Sequence, residues 1–325
     1  MKAIVTGGAG FIGSHMVDYL ISEGHSVVAF DSFEAGVQGN LERHSENPRL
    51  RIVRGDVVKA CELKGVLDGA DVVFHFAAFA DLRKSLSGHF QDLETNVRGT
   101  VNLLEAMESA GVPHLVFSST SSLYGEPSMI PTGEDYAPTQ TSLYGASKIA
   151  AEAFAEAFTQ ISGLKLWTFR FSNVVGERCR RGIVWDFVHK LRQDPTRLEI
   201  LGDGRQSKEF LYVGDCVAGM MIGYTRAFGQ VNKFNLAIRT NLTPDEVADI
   251  VIDTLGLTGV ERHYTGGNRG WIGDNPVVRL DVERISSLGW APKIPSRDAI
   301  VRMVRWIVET YPELQPSEGS PRTSA

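Results

Sequence analysis

The segment AIVTGGAGFIG, residues 3–13, decides the fold. Its first four residues form a short apolar run that predicts a buried strand, and the apolar spacing of residues 11–22 predicts a helix. Gly7, Gly10 and Gly13 stand between the two. A strand that enters a helix through such a turn brings the backbone close to a phosphate group, and the first turn of the helix offers free N–H donors. The segment therefore predicts a dinucleotide-binding site.

The first half of the chain alternates short apolar runs with helical patterns. Strands are predicted at residues 26–30, 51–53, 72–76, 114–118 and 165–170, and helices at 89–110 and 144–161. This alternation is typical of parallel βαβ units. The expected fold class is α/β: a Rossmann-like, doubly wound parallel sheet with a smaller α+β C-terminal lobe. We place the dinucleotide-binding domain at 1–173 and the substrate lobe at 174–312, with an interleaved boundary, and expect residues 313–325 to form a disordered tail.

Composition and charge argue against a nucleic-acid-binding protein, a membrane-spanning protein and a metal-binding protein. The chain has 325 residues, of which 43% are hydrophobic, and a net charge of −6 without a long basic run, so nucleic acid is not an expected partner. We find neither a leader peptide nor an apolar run of about 18 residues, so we expect a cytoplasmic protein without a membrane span. Cys61, Cys179 and Cys216 lack metal-binding spacing, and we expect reduced thiols and no metal site.

Two acids support the dinucleotide site. Asp31 lies 18 residues after Gly13, at the end of the second predicted strand. An acid there accepts hydrogen bonds from both adenosine ribose hydroxyls and repels a 2′-phosphate, which favours NAD over NADP. The alternative is that Asp31 caps a loop. Asp56, after the third predicted strand, is a candidate for the adenine edge and, equally well, a turn residue.

The motif Tyr144-Gly145-Ala146-Ser147-Lys148 carries the candidate chemistry. Helix positions four apart lie on one face, so the phenol and the amine point the same way. A neighbouring cation favours the phenolate, and we expect the pKa of Tyr144 to fall toward neutrality, where it can take a proton from a substrate hydroxyl. The alternative is a pair of surface helix residues. The hydroxyl-rich segment FSSTSSLYG, residues 117–125, favours the catalytic interpretation.

Together these motifs resemble the extended short-chain dehydrogenase/reductases, in the group of nucleotide-sugar epimerases and dehydratases. The resemblance runs from residue 1 to about 312 and includes the segments 75–78, 95–100, 170–176 and 209–213. It implies that Tyr144 is the catalytic base, that Lys148 binds the nicotinamide ribose and that Thr120 positions or relays the proton. The NAD contacts that it implies are Gly7, Gly10, Phe11, Ile12, Gly13, Asp31, Ser32, Asp56, Val57, Phe76, Ala77, Ala78, Asn96, Ser118, Tyr144 and Lys148.

The loop after the fifth strand distinguishes reactions within this family. Dehydratases carry Thr-Asp-Glu where this chain has Thr120, Ser121 and Ser122, and decarboxylating relatives keep a Glu at the position of Ser122. Without these acids the simplest reaction remains: oxidation at C4, rotation of the keto-sugar and reduction from the other face. The expected function is thus a UDP-glucose or UDP-glucuronate 4-epimerase. The alternatives are a dehydratase, a 4-ketosugar reductase with net NAD(H) turnover, and a non-enzymatic NAD-sensing protein.

The resemblance also suggests substrate contacts. Thr120, Ser121, Ser122 and Tyr144 face the sugar, and cations should meet the two phosphates. Lys208 matches a basic residue of the family, whereas Arg269 lies two residues further from Gly273-Asp274 than in the common pattern. We expect Asp274 to hold the nucleoside ribose or that arginine, and Asn173 to hold a phosphate or a sugar hydroxyl.

Two further expectations follow from the resemblance. Arg83, together with Ser121 and Ser122, is a candidate for binding a uronic acid carboxylate; the alternative is that Arg83 meets cofactor phosphate or solvent. The apolar helices near residues 97–110 and 149–161 match the pair that builds a four-helix bundle between subunits in relatives. We therefore expect a homodimer, the alternative being that these helices pack only on their own sheet.

Overall fold

The computed structural model describes residues 1–80, 90–271 and 273–312. Its centre is a parallel sheet of seven strands in the order β10-β6-β5-β4-β1-β2-β3. The strands of this sheet span Lys2–Thr6 (β1), Ser26–Asp31 (β2), Leu50–Arg54 (β3), Val72–His75 (β4), His114–Thr120 (β5), Lys165–Phe171 (β6) and Val231–Leu236 (β10). All neighbouring strands pair in parallel, which confirms the predicted doubly wound α/β fold.

Helices cover both faces of this sheet. They span Phe11–Ser22 (α1), Gly99–Ala110 (α2), Leu143–Ser162 (α3) and Val213–Arg226 (α5). Helices α1 and α5 bury aliphatic and methionine side chains against one face, whereas α2 and α3 bury theirs against the other. Because both faces are covered, the inner strands are mostly apolar, and β4 is buried along its whole length. The edge strand β3, LRIVR, has no fully buried residue.

Local signals fix the ends of the helix that carries Tyr144. The Ser142 side chain accepts a hydrogen bond from the Gly145 N–H at 3.1 Å, which caps the start of α3. At the other end Gly163 adopts a left-handed conformation with φ of 73°, which ends the helix. The start of α3 is thus fixed next to the end of β5.

A second lobe packs at the carboxyl edge of the sheet. Its strands and helices span Asn173–Val175 (β7), Ile183–Gln193 (α4), Arg197–Ile200 (β8), Lys208–Tyr212 (β9), Asn241–Leu242 (β11), Pro244–Leu255 (α6), Glu261–Tyr264 (β12), Glu283–Ser287 (α7) and Ser296–Thr310 (α8). The strands form a three-stranded sheet, β11-β9-β7, and a two-stranded sheet, β12-β8. Helices α4, α6 and α8 bury a separate apolar core between them.

The later part of the chain also returns to the main sheet. Strand β10 pairs with β6 in parallel, with Val231 opposite Leu166 and Leu236 opposite Phe171. The division at residue 173 stays a prediction, and the predicted tail at 313–325 lies outside the described residues. Within the described ranges, no helix is both long enough and apolar enough to cross a bilayer.

One predicted helix differs in form. The sequence predicts a helix over residues 89–110, whereas the structure has a π-helix at Asp92–Arg98 followed by α2. Single π-turns commonly occur where a side chain needs a particular placement. Here the π-helix contains the buried Asn96, whose side chain bonds to the backbone of Phe79 and to Ser147.

Candidate active site

The turn between β1 and α1 has room only for glycine. A Cβ at Gly7 would lie 2.7 Å from the Ala77 nitrogen, and one at Gly13 would lie 2.1 Å from the Gly7 carbonyl oxygen. Helix α1 begins after Gly10 without a side-chain cap and without an acid in its first turn. Its N–H groups are therefore available to an anion, and the turn fits the pyrophosphate of a dinucleotide.

Asp31 ends β2 beside this turn. Its carboxylate accepts hydrogen bonds from the Ala9 N–H at 2.9 Å and from the Phe33 N–H at 2.8 Å. Burial raises the pKa of Asp31, and these N–H groups oppose that rise. Phe33 has a left-handed φ of 61°, and the Arg54 guanidinium lies 4.8 Å above its ring. The acid is thus fixed next to the glycine turn, as the sequence predicts for an acid that binds ribose.

The other predicted cofactor contacts lie along the same edge of the sheet. Phe76, Ala77 and Ala78 follow β4, and the Gly7 turn packs directly on the first two. Asp56 and Val57 follow β3, where Asp56 accepts a hydrogen bond from the Val58 N–H at 2.9 Å and Val57 is buried. The remaining predicted contacts are Phe11 and Ile12 at the start of α1, Ser32 after β2, Asn96 in the π-helix and Ser118 in β5.

Tyr144 lies in the first turn of α3 and contacts Thr120 at the end of β5. The Thr120 hydroxyl accepts a hydrogen bond from the Ser122 N–H at 3.1 Å, so its own hydrogen is available to the phenol oxygen. Burial raises the pKa of Tyr144, while the charge of Arg181 and the Thr120 hydrogen bond lower it. The expected fall toward neutrality is therefore wrong for this structure, because burial disfavours the phenolate more than its neighbours favour it.

Lys148 follows one helical turn after Tyr144 and is 2% exposed. Its ammonium nitrogen lies 4.2 Å from the centre of the Phe117 ring. Burial lowers the pKa of Lys148 to about 7, and the charge of Glu152 opposes this. Glu152 itself forms a buried bidentate ion pair with Arg170, at 3.2 and 2.7 Å. Lys148 is thus a buried amine: burial favours its neutral form, and the nearby Glu152 favours its charged form.

A cavity of about 580 Å³ opens beside Tyr144, between the sheet edge and the second lobe. The end of β5 and its loop contribute Ser119, Thr120, Ser121 and Ser122 to its wall. Ser119 and Ser172 also line this cavity, and their hydroxyls are buried without a hydrogen-bond partner among the described residues. Buried polar groups without a partner are uncommon in folded proteins.

The far wall carries three of the predicted substrate residues, Lys208, Asp274 and Asn173. Lys208 forms an ion pair with Asp274, and its ammonium lies 5.0 Å from the centre of the Trp271 ring. Asn173 lines the cavity and donates a hydrogen bond to the Glu209 carbonyl oxygen at 3.1 Å. Arg269 does not line the cavity and is held by Glu126 at 2.6 Å instead. The longer spacing noted in the sequence places this arginine outside the cavity. Arg83 lies outside the described residues.

Sequence reasoning missed two arginines of this wall, in the loop between β7 and α4. Arg181 lines the cavity, donates a hydrogen bond to the Ala80 carbonyl oxygen at 3.0 Å and acts electrostatically on Tyr144. Arg180 also lines it, but Asn40 and the Tyr311 hydroxyl hold its guanidinium at 3.2 and 2.5 Å. Their only sequence signal is the basic cluster RCRR at residues 178–181, which patterns alone cannot direct to a site.

Comparison with known proteins identifies the family. The family model of the NAD-dependent epimerases and dehydratases matches residues 3–237. The chain belongs to this family. It is 31% identical to a UDP-glucose 4-epimerase of Mycolicibacterium smegmatis over 315 residues, which cover 94% of this chain and 98% of the relative. Its cofactor is NAD, in agreement with the glycine turn and Asp31.

Solved structures give the same fold. A dTDP-glucose 4,6-dehydratase of Streptomyces venezuelae with bound NAD aligns with a TM-score of 0.89 and 30% identity, over 97% of this chain and 100% of that one. A UDP-glucuronic acid 4-epimerase of Bacillus cereus, bound to UDP-glucuronic acid and NAD, aligns with a TM-score of 0.87 and 25% identity, over 96% and 100%. The protein is therefore an enzyme of a family that includes epimerases and dehydratases.

Proposed function

We propose that this enzyme is a UDP-sugar 4-epimerase, interconverting UDP-glucose and UDP-galactose or UDP-glucuronate and UDP-galacturonate. The observation that carries the proposal is the loop after β5. It presents Thr120, Ser121 and Ser122 to the cavity next to Tyr144. A dehydratase needs an acid there to protonate the leaving hydroxyl and a base to abstract the C5 proton. A loop of hydroxyls has neither, and it favours a reaction in which one group, Tyr144, both takes and returns the proton.

Each residue of the site has a separate role in the proposed reaction. NAD, when bound, supplies an acceptor and a donor for hydride. Tyr144 takes the proton of the C4 hydroxyl, and Thr120 donates a hydrogen bond to the phenolate. Arg181 places positive charge near Tyr144, which opposes the cost of burying a phenolate. We propose that Lys148, one helical turn further along α3, binds the nicotinamide ribose. After the keto-sugar has turned its other face, Tyr144 returns the proton.

The far wall suits a nucleoside diphosphate. Helix α4 begins after Gly182 without a side-chain cap, and its first turn lines the cavity together with Asp186, whose carboxyl group reduces the attraction for an anion. Free N–H groups at a helix start and the ammonium of Lys208 both favour a pyrophosphate. We propose that Asp274 orients Lys208 for this contact and that Asn173 binds a phosphate or a sugar hydroxyl.

The test is to incubate the purified protein, without added cofactor, with UDP-glucose and separately with UDP-glucuronate, and to follow each C4 epimer by NMR. Conversion of either without a net absorbance change at about 340 nm supports a self-contained epimerase and separates the neutral from the acidic sugar. Consumption only when NAD(H) is added would replace the proposal by a net oxidoreductase. Formation of a 6-deoxy-4-keto sugar would replace it by a dehydratase.

We also propose a homodimer formed through α3 and the π-helix that precedes α2. This face exposes Ile161, Phe154 and Leu93, with exposed fractions of 68%, 45% and 51%. Large apolar side chains exposed together favour burial in an interface. A dimeric mass in light scattering at micromolar concentration supports the proposal, and a monomeric mass contradicts it.

A further inference from the structure

A chain of buried hydrogen bonds begins at the carboxyl ends of β1 and β4. Thr6 Oγ1 lies 2.6 Å from His75 Nδ1, and His75 Nε2 lies 3.0 Å from Thr100 Oγ1. The Thr100 hydroxyl donates its hydrogen to the Asn96 carbonyl oxygen at 2.6 Å, so it accepts from His75. Nε2 therefore carries the imidazole hydrogen, and Nδ1 accepts from Thr6. Every member is at most 1% exposed.

The chain continues to the first turn of α3. Asn96 Nδ2 donates to Ser147 Oγ at 2.9 Å and to the Phe79 carbonyl oxygen at 2.9 Å. The Ser147 hydroxyl in turn donates to the Tyr144 carbonyl oxygen at 2.8 Å. Two sections of hydrogen bonds thus meet at Asn96, whose backbone carbonyl accepts from Thr100 and whose side chain donates to Ser147, and together they join the sheet, the π-helix and the turn that carries Tyr144.

His75 itself does not reach the cavity or the substrate. It does not line the cavity, and its ring packs on Phe117, with centroids 5.6 Å apart. Lys148 lies over the same Phe117 ring. Burial and the charge of Lys148 lower the pKa of His75 to about 3, so the imidazole stays neutral at physiological pH. Its donor and acceptor are therefore permanently assigned.

We propose that His75 is a positioning residue for the Tyr144–Lys148 pair, acting through Thr100 and Asn96. Because each hydrogen in the chain has one acceptor, each member holds the next in a single arrangement. Loss of one link frees the π-helix to move relative to α3, which displaces the Tyr144 side chain from its partner at the end of β5. The inference rests on the proposed epimerase function for its kinetic test only.

Two variants each remove a different hydrogen bond of this network. Thr100→Val removes the acceptor of His75, and Ser147→Ala removes the link to α3 while Asn96 keeps its bonds to Phe79. We expect each to lower kcat per NAD-containing site about 10- to 100-fold, the cost of a small misplacement, with KM for the sugar nearly unchanged. Since both substitutions interrupt one network of hydrogen bonds, the double variant should lose no more activity than the more impaired single variant.

Matched controls separate positioning from folding. Thr100→Ser keeps the hydroxyl and should restore the rate, and Thr254→Val removes a comparable hydroxyl, bonded to the Ile250 carbonyl at 2.6 Å in the distant α6. Thermal unfolding of every variant identifies those that simply lose stability. A merely structural role predicts a lower melting temperature with unchanged kcat per folded site. That result, or losses in the two singles that multiply in the double, overturns the proposal.

A second readout needs no turnover. With ¹³C-labelled lysine side chains, NMR follows the titration of Lys148, assigned by its loss in Lys148→Met. We expect its pKa to rise in Thr100→Val and in Ser147→Ala, because a displaced α3 admits water to the ammonium. An unchanged Lys148 titration in both folded variants overturns the positioning role. If the wild-type enzyme converts neither UDP-sugar, the proposed function fails, and this titration still decides the inference.

Discussion

Glu209 in β9 is a carboxyl group whose burial lowers the stability of the folded protein at neutral pH. It is fully buried, Oε2 accepts one hydrogen bond from the Leu280 N–H at 3.2 Å, and Oε1 has no hydrogen-bond partner among the residues that the structure describes. Burial raises the pKa of Glu209 from 4.5 to about 8, although the Leu280 N–H and the charge of Arg279 oppose this. The native protein therefore holds Glu209 protonated at neutral pH, whereas the unfolded chain ionises it above about pH 4.5.

Because the native pKa is raised, ionisation of Glu209 makes the folded protein less stable as the pH rises. A carboxyl with a raised native pKa costs no stability below its unfolded pKa, and the cost grows as the pH rises toward the native value. At about 1.4 kcal/mol per pH unit, the cost is about 3 kcal/mol at pH 7 and approaches about 5 kcal/mol above pH 8. Glu209→Gln removes the ionisation but keeps the shape, so its stability relative to the wild type should rise steadily between these pH values.

The assay is urea unfolding of the wild type and of Glu209→Gln at about pH 5, 7 and 8.5, with the exposed Glu46→Gln as the control. We expect the difference in free energy of unfolding to favour Glu209→Gln increasingly with pH, by several kcal/mol over this range. The Glu46→Gln control should show no such trend. A difference that is independent of pH, or that favours the wild type more at pH 8.5, would refute the reasoning.

Three further outcomes follow from the site. Tyr144→Phe should lower the rate of C4 epimer formation about 10²- to 10⁴-fold while nicotinamide still co-purifies, and near-normal turnover in the NMR assay contradicts its role. Glu152→Gln leaves Arg170 charged and buried, so urea unfolding should show a loss of about 3–5 kcal/mol. The half-exposed Glu156→Gln should cost less than about 1 kcal/mol, and equal losses would contradict this contrast. Lys208→Met should raise KM about ten-fold or more with little change in kcat, and an unchanged KM in saturation kinetics argues against phosphate binding.

Most of the central sheet was predictable because its inner strands are buried on both faces. Such strands are short apolar runs, and the helices between them have their own period, so the pattern alone distinguishes the two. Strand β10 was not predictable as a member of this sheet. Its pairing with β6 joins residues more than sixty positions apart, as with Val231 and Leu166, and no local pattern records such a contact.

In the candidate site, too, local patterns could be predicted from the sequence and long-range contacts could not. Tyr144, Lys148, Thr120 and Asp31 could be proposed from the sequence because their spacing relative to strands and helices is local. The direction of the Tyr144 pKa shift could not be predicted, because it depends on burial by several strands and helices and on the charge of Arg181, which is distant in sequence. The same holds for Arg269, whose partner Glu126 lies in another loop. Charge balance within a cavity is a property of tertiary structure.

The central claim is that hydride leaves C4 of the sugar and returns to the same carbon within one active site. The most direct measurement is epimerisation of a UDP-sugar labelled with deuterium at C4, in ordinary water and without added cofactor, with the label followed by NMR. We predict that the C4 epimer keeps the deuterium at C4 and gains no solvent hydrogen there. Replacement of the label at C4 by solvent hydrogen would contradict a hydride that leaves and returns within one active site.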